Sequence, residues 1–164
     1  MLVSKSDFLY LFFIFALFFM LEYKVIEHNS KDYWDTVHLR ELVLRQPLGM
    51  RFSSEELELE NNSYHIAAYD ENHKIIGSAM FVPLSPSKLK MRQVVVAEDW
   101  QRRGIGKELL EFAENFAQSK DYQLIEANVR QTAMGFYESL DYIKVGKEFV
   151  EVGIAHMKVE KKIG

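Results

Sequence analysis

The sequence predicts a mixed α/β domain in which helices cover a central sheet, and three observations carry that reading. Runs rich in β-branched and aromatic residues recur at 64–69, 75–82, 89–96 and 124–129. Between the last two, the periodicity changes from strand-like to helical. Ile105, Leu109, Phe112 or Ala113, and Phe116 share one stripe, with Lys107, Glu108, Glu111 and Glu114 opposite. The third observation is the run Val94, Val95, Val96, which reads as a strand buried on both faces. Strands interleaved with helices in one chain of this length point to a single sheet with helices packed on it.

Taken in order, residues 23–27 read as an edge strand. Asp32 is placed to cap a helix running to about Leu44, which Pro47 and Gly49 stop. Ser53 or Ser54 before Glu-Glu-Leu opens a second, short helix. The runs 64–69 and 75–82 flank the polar turn Asp70-Glu71-Asn72-His73 and form a hairpin that Pro83 and Pro86 end. After the valine strand and the long helix comes a strand at 124–129. Ala133, Phe136, Tyr137 and Leu140 then stripe a short helix, and strands at 142–150 and 155–160 close the chain.

Composition excludes several functions. A hydrophobic share of 48% with 27% charged residues suits a globular domain rather than a disordered chain. The net charge of -4 without a basic block argues against nucleic acid as a partner. The absence of cysteine removes disulfides, thiolate zinc sites and a cysteine nucleophile together. His28, His38, His65, His73 and His156 form no HxxxH or HExxH pair, so no metal is expected.

Residues 8–21 form an unbroken apolar run of fourteen, bounded by Asp7 and Glu22. A spanning helix needs about 20 apolar residues, so the run is short for one. Lys5 ahead of it fits a signal peptide, yet no small-x-small cleavage site follows. Three readings stay open: translation starting at Met20, a membrane anchor, or a cleaved signal. The organisation is an N-terminal hydrophobic extension, 1–20, and one domain, 21–164. A cytoplasmic location goes with the first reading, and membrane contact depends on residues 8–21 being retained.

Between the valine strand and the long helix lies Gln101-Arg102-Arg103-Gly104-Ile105-Gly106-Lys107. A strand running into a glycine-bearing turn at a helix start makes an anion site. The first N–H groups have no partner within the helix, and its dipole favours negative charge there. Gly104 and Gly106 lack the Cβ atoms that would hold a phosphate off the backbone, and Arg102, Arg103 and Lys107 add positive charge. Taken alone, the same residues also suit a tight turn with solvated basic side chains. A P-loop is excluded because Glu108 follows Lys107, and the third glycine of the Rossmann fingerprint is missing.

Gln101-x-x-Gly104-x-Gly106, preceded by the three valines and an acidic spacer, resembles the acetyl-CoA signature of the GNAT superfamily of N-acetyltransferases. Glu98 stands where that family usually has Pro. The resemblance implies the GNAT acyl-CoA N-acyltransferase fold, a central mixed and mostly antiparallel sheet flanked by helices. It implies acetyl-CoA as acyl donor, with the amides of the loop, through Ile105, on the pyrophosphate. The backbone of Val94, Val95 and Val96 would pair with the pantetheine arm, with a backbone N–H near Val95 or Val96 on the oxyanion. The stretch from Asn128 through Ala133, Phe136 and Tyr137 to Tyr142 resembles the family's next motif. Asn128, Ala133 and Phe136 are thereby cofactor candidates, and Tyr137 is a candidate to protonate the departing thiolate. Asp141 replaces the family's usual glycine in a left-handed turn. The ending from Glu148 to Met157 resembles bacterial GNAT proteins similar to ElaA, which makes Glu151 and His156 candidate bases near the acyl end.

The expectation is therefore direct acetyl transfer to a primary amine of a small molecule or peptide. A non-catalytic acyl-CoA-binding or sensing module is the alternative. Tyr137 and Phe136 can also be core aromatics, His156 a hydrogen-bonded strand histidine, and Glu151 a solvated turn carboxylate. Arg45 caps its helix or holds an acidic substrate group. The acceptor is open among polyamine, aminoglycoside, amino acid and protein N-terminus, with the acidic balance leaning to a cation through steering. A homodimer is open on the same footing.

Overall fold

The computed structural model describes residues 21–164, and the readings of the apolar run up to Met20 lie outside the described residues. Strands β1 (Glu22–Ile26), β2 (Tyr64–Tyr69), β3 (Ile75–Ser85), β4 (Lys88–Val96), β5 (Leu124–Arg130), β6 (Ile143–Glu151) and β7 (Ile154–Lys162) build one sheet in the order β1-β2-β3-β4-β5-β7-β6. Its neighbours run antiparallel except β4 and β5, which are parallel because α3 (Ile105–Ser119) carries the chain back between them. The remaining helices are α1 (Lys31–Arg40), α2 (Ser54–Glu58) and α4 (Met134–Glu138). No helix among the described residues is long and apolar enough to cross a membrane.

The sheet has a core on each face. On one, Ile105, Leu109, Leu110, Ala113 and Ala117 of α3 pack with Tyr137 of α4 against Ile66, Phe81, Leu89, Met91, Ile125, Ala127 and Val129. On the other, Tyr33, Val37 and Leu39 of α1 meet Ala67, Tyr69, Ile75 and Val95. The valine strand is divided between them: Val95 enters the α1-side core, while Val94 and Val96 pack against the α3-side core. Strand alternation requires that split.

Local chemistry explains most element ends and corrects two readings. The cap of α1 is Ser30, whose hydroxyl accepts from Tyr33 N at 3.1 Å. Asp32 instead accepts from the Tyr69 hydroxyl at 2.7 Å, tying α1 to the sheet. The helical path continues past Arg40 through a wider π-type turn, Glu41–Arg45, and a 3-10 turn at Gln46–Leu48. It stops at Gly49, whose φ of 67° suits glycine. Ser53 and Glu56 form a reciprocal capping box on α2. Strand β3 does not stop at Pro83 but continues to Ser85, with Pro83 paired opposite Leu89. Pro86 lies in the turn that follows. Asp141 takes the left-handed conformation at φ 65°.

Candidate active site

The parallel pairing of β4 and β5 runs only from Lys88 opposite Leu124 to Met91 opposite Ala127. Beyond it the strands part, yet each keeps its other neighbour. β4 still pairs with β3 through Val96 opposite Gly77, and β5 with β7 through Arg130 opposite His156. A wedge therefore opens inside the sheet, bordered by backbone without a strand partner. Ala97 N donates to Ile76 O at 2.8 Å, so alternation turns the carbonyl of Val95 toward β3 and the polar groups of Val96 and Val94 into the wedge. Val95 thus borders the wedge less directly than its two neighbours. The carbonyl of Val96 accepts from Gln101 Nε2 at 3.0 Å, which folds the loop back onto the strand end.

That loop delivers the chain to the N-terminus of α3. Gly104 takes the cap position at φ 85° and offers no side-chain hydrogen bond to the first-turn N–H groups. A Cβ built on Gly104 meets nothing within 4 Å, so the approach to those donors is open. Gly106 differs from the reading of the bare sequence: a Cβ there would lie 3.3 Å from the Phe136 ring. Its hydrogen makes room for Phe136, and the same Cβ would lie 3.7 Å from Val96 Cγ2. Ile105 contributes only backbone, since its side chain is buried in the core. Arg102 and Arg103 are exposed, with Arg103 over the Trp100 ring at 5.2 Å. Lys107 reaches Glu111 at 3.7 Å in an exposed pair, which leaves it free to exchange partners.

The short helix α4 follows β5 through Ala133 and puts Phe136 and Tyr137 side by side. Tyr137 is 8% exposed, packed in the α3-side core. Burial alone pushes its pKa up to about 12, so the phenol stays protonated at neutral pH.

Glu151 and His156 stand on the β6–β7 hairpin. Asn128, on the part of β5 that borders the wedge, donates to Glu151 Oε2 at 3.0 Å and so ties the hairpin end to the wedge. His156 Nδ1 lies 2.8 Å from the Ile154 carbonyl. A carbonyl only accepts, so Nδ1 carries a proton, which leaves Nε2 outside this bond. The ring stacks on Phe149 at 6.0 Å. Alternation along β5 and β7 sets Asn128 and His156 on the face opposite Ala127 and Val129, which pack with Tyr137. Tyr137 on one side and Glu151 and His156 on the other therefore flank the sheet from opposite faces. Arg45 is the basic residue of the last π-type turn, and it pairs with Glu56 at 2.9 Å and covers the Phe52 ring at 4.3 Å. Among the described residues no cluster of His, Asp or Glu is close enough to hold a metal ion.

One constellation goes beyond the sequence reading. Arg40 makes two 2.9 Å bonds to Glu60 and one of 2.6 Å to Gln93, all within the core. The available signal was an arginine on the stripe of α1, at i+7 from Tyr33 and i+3 from Val37.

Comparisons with known proteins agree with this geometry. The family model for the acetyltransferase (GNAT) domain matches residues 46–163. The uncharacterized N-acetyltransferase YjcF of Bacillus subtilis is 27% identical over 138 residues, 84% of this chain and 97% of that protein. Escherichia coli ElaA superposes with a TM-score of 0.74 at 16% identity, covering 87% of this chain and 99% of ElaA. An aminoglycoside 6'-N-acetyltransferase complexed with coenzyme A gives 0.72 at 18% identity, covering 87% and 97%. With its strand wedge, its open helix end and this match over most of its length, the chain belongs to the GNAT acetyltransferase family and is an enzyme of that class.

Proposed function

We propose that this acetyltransferase moves an acetyl group from acetyl-CoA to a primary amine by direct attack, without an acyl-enzyme. The observation that carries the reading is the wedge between β4 and β5, which leads to the uncapped N-terminus of α3. A long, narrow ligand with a pyrophosphate at one end and an amide-bearing arm matches both parts. First-turn N–H groups around Gly104, Ile105 and Gly106 bind the pyrophosphate, with Arg102, Arg103 and Lys107 screening its charge. Val94 and Val96 offer backbone partners to the arm, and Phe136 lies along it. The aminoglycoside acetyltransferase that shares the fold was solved with coenzyme A, which supports the same choice of donor.

In the reaction, the neutral amine nitrogen attacks the thioester carbonyl carbon. The N–C bond forms, and the oxyanion accepts from an N–H in the wedge, that of Val96 or Val94. As the tetrahedral intermediate collapses, the C–S bond breaks and the electron pair stays on sulfur. Tyr137 gives its phenolic proton to that sulfur. Glu151, or His156 through Nε2, takes the proton that the amine loses. Asn128, which holds Glu151, belongs with the base more than with the cofactor.

The test is calorimetric titration of the full chain with acetyl-CoA, followed by thiol release with a polyamine, an aminoglycoside, free amino acids and a peptide N-terminus. Saturable binding and thiol release that depends on one amine class are expected. No binding to acetyl-CoA or longer acyl-CoAs would overturn the donor assignment. Binding without amine-dependent release would overturn the catalytic one.

A further inference from the structure

We infer that Arg40 and Glu60 are positioning residues for the cofactor-facing strand, acting through the side chain of Gln93. This rests on the acyl-CoA reading above. Strand β4 carries a bulge: Ser78 faces Val95 and Met80 faces Arg92, so Ala79 alone opposes both Gln93 and Val94. Gln93 takes φ 54°, a conformation that an L-residue adopts only at a cost. The bulge, Gln93 and Val94, follows the last β4–β5 pair, Met91 with Ala127, so it lies where the wedge opens.

A ring of polar contacts from distant segments holds that residue. Gln93 Oε1 accepts from Arg40 Nη1 at 2.6 Å, and Gln93 Nε2 donates to Glu60 Oε1 at 3.3 Å. Arg40 grips both Glu60 oxygens at 2.9 Å, and the Tyr33 hydroxyl donates to Glu60 Oε2 at 2.8 Å. Arg40 and Glu60 are 1% and 5% exposed, with the guanidinium over the Phe52 ring at 5.1 Å. A hydrophobic pair of similar shape would stabilise such a core as well or better, so stability alone does not account for two desolvated charges. Their geometry does: a bidentate guanidinium is planar and fixed, and its third bond is spent on the one side chain of the bulge. Without that bond, Gln93 relaxes away from positive φ and the next peptides turn, carrying the N–H groups of Val94 and Val96 out of line with the wedge.

The test compares wild type with Gln93→Met, which keeps size and chain length but accepts no hydrogen bond from Arg40. Two probes are titrated by calorimetry: acetyl-CoA, which uses wedge and loop, and adenosine 3',5'-bisphosphate, which reports the loop end alone. Gln93→Asn, too short to reach Arg40, serves as a second variant with better tolerance of positive φ. The expected result is about tenfold weaker acetyl-CoA binding in Gln93→Met, the loss of roughly one hydrogen bond's worth of alignment, a smaller loss in Gln93→Asn, and unchanged bisphosphate affinity in both. Wild-type acetyl-CoA affinity in Gln93→Met overturns the inference, because the link then only fills space. Equal weakening of both probes also overturns it, because the effect is then global. A wild-type chain that binds neither probe refutes the acyl-CoA reading and this inference with it.

Discussion

Replacing Gly104 separates what the loop does for the fold from what it does for the ligand. At φ 85° and ψ -4° an L-residue is strained, but a Cβ there meets nothing within 4 Å. Gly104→Ala therefore carries a backbone cost only, about 1–2 kcal/mol. At about 2–4 °C per kcal/mol for a chain of this size, the melting temperature falls by roughly 2–8 °C. Gly104→Glu carries the same strain. Its carboxylate, however, sits at the positive end of α3, which returns about 0.3–1 kcal/mol to the ligand-free protein. The glutamate variant should accordingly melt at or slightly above the alanine variant. Binding should show the opposite order. A carboxylate about 5 Å from a phosphate charge costs about 3 kcal/mol at an effective dielectric of 20, which corresponds to about a hundredfold in affinity. Thermal unfolding and calorimetry with acetyl-CoA read the two quantities. If Gly104→Glu binds acetyl-CoA within about threefold of Gly104→Ala, no phosphate lies against this helix end and the cofactor assignment falls.

Three further outcomes follow from the same contacts. Tyr137→Phe should lower kcat by about 10²-fold or more while leaving acetyl-CoA affinity and melting temperature nearly unchanged, because it removes only the phenolic oxygen and keeps the ring that packs in the core; steady-state kinetics beside a melt decides it. Glu60→Gln leaves the Arg40 charge buried without its counter-ion and should cost about 3–5 kcal/mol, seen as a lower urea midpoint. His65 is buried at 2% exposure, and desolvation holds its pKa below the ordinary 6.5. The unfolded chain therefore takes up this proton first as pH falls, so stability is lost from about pH 6.5 downward through the folded pKa. Urea midpoints from pH 7 to 5 should drop more steeply in wild type than in His65→Gln, and parallel slopes would contradict that assignment.

The site was legible to the extent that it is local. The loop 101–107 is a run of adjacent residues, and Gly104 at positive φ does what its residue type suggests. Asp141 likewise takes the left-handed turn expected of it. The packing of Phe136 against Gly106 was not legible, because the two lie thirty residues apart in the chain. Asp32 looked like a cap by position, but Ser30 stands one step before the helix with its hydroxyl on the right N–H, and the Asp32 carboxylate had a tyrosine to bind. Pro83 looked like a terminator, although a proline at a ladder position that needs no N–H leaves its strand intact.

The sequence by itself determined the succession of strands and helices, the glycine-bearing strand–loop–helix segment and the family. Each of these is written in periodicity, turn residues or a contiguous motif, where the interacting groups are neighbours along the chain. Tertiary structure alone decided that β4 and β5 part after Met91, that Val95 turns from the wedge its neighbours border, and that Asn128 holds Glu151 across 23 residues of chain. It also decided that Arg40 reaches Gln93 across 53 residues. A hydrogen bond is set by angstroms in space. Separations of that length acquire a distance only once the sheet has fixed its strand order and register.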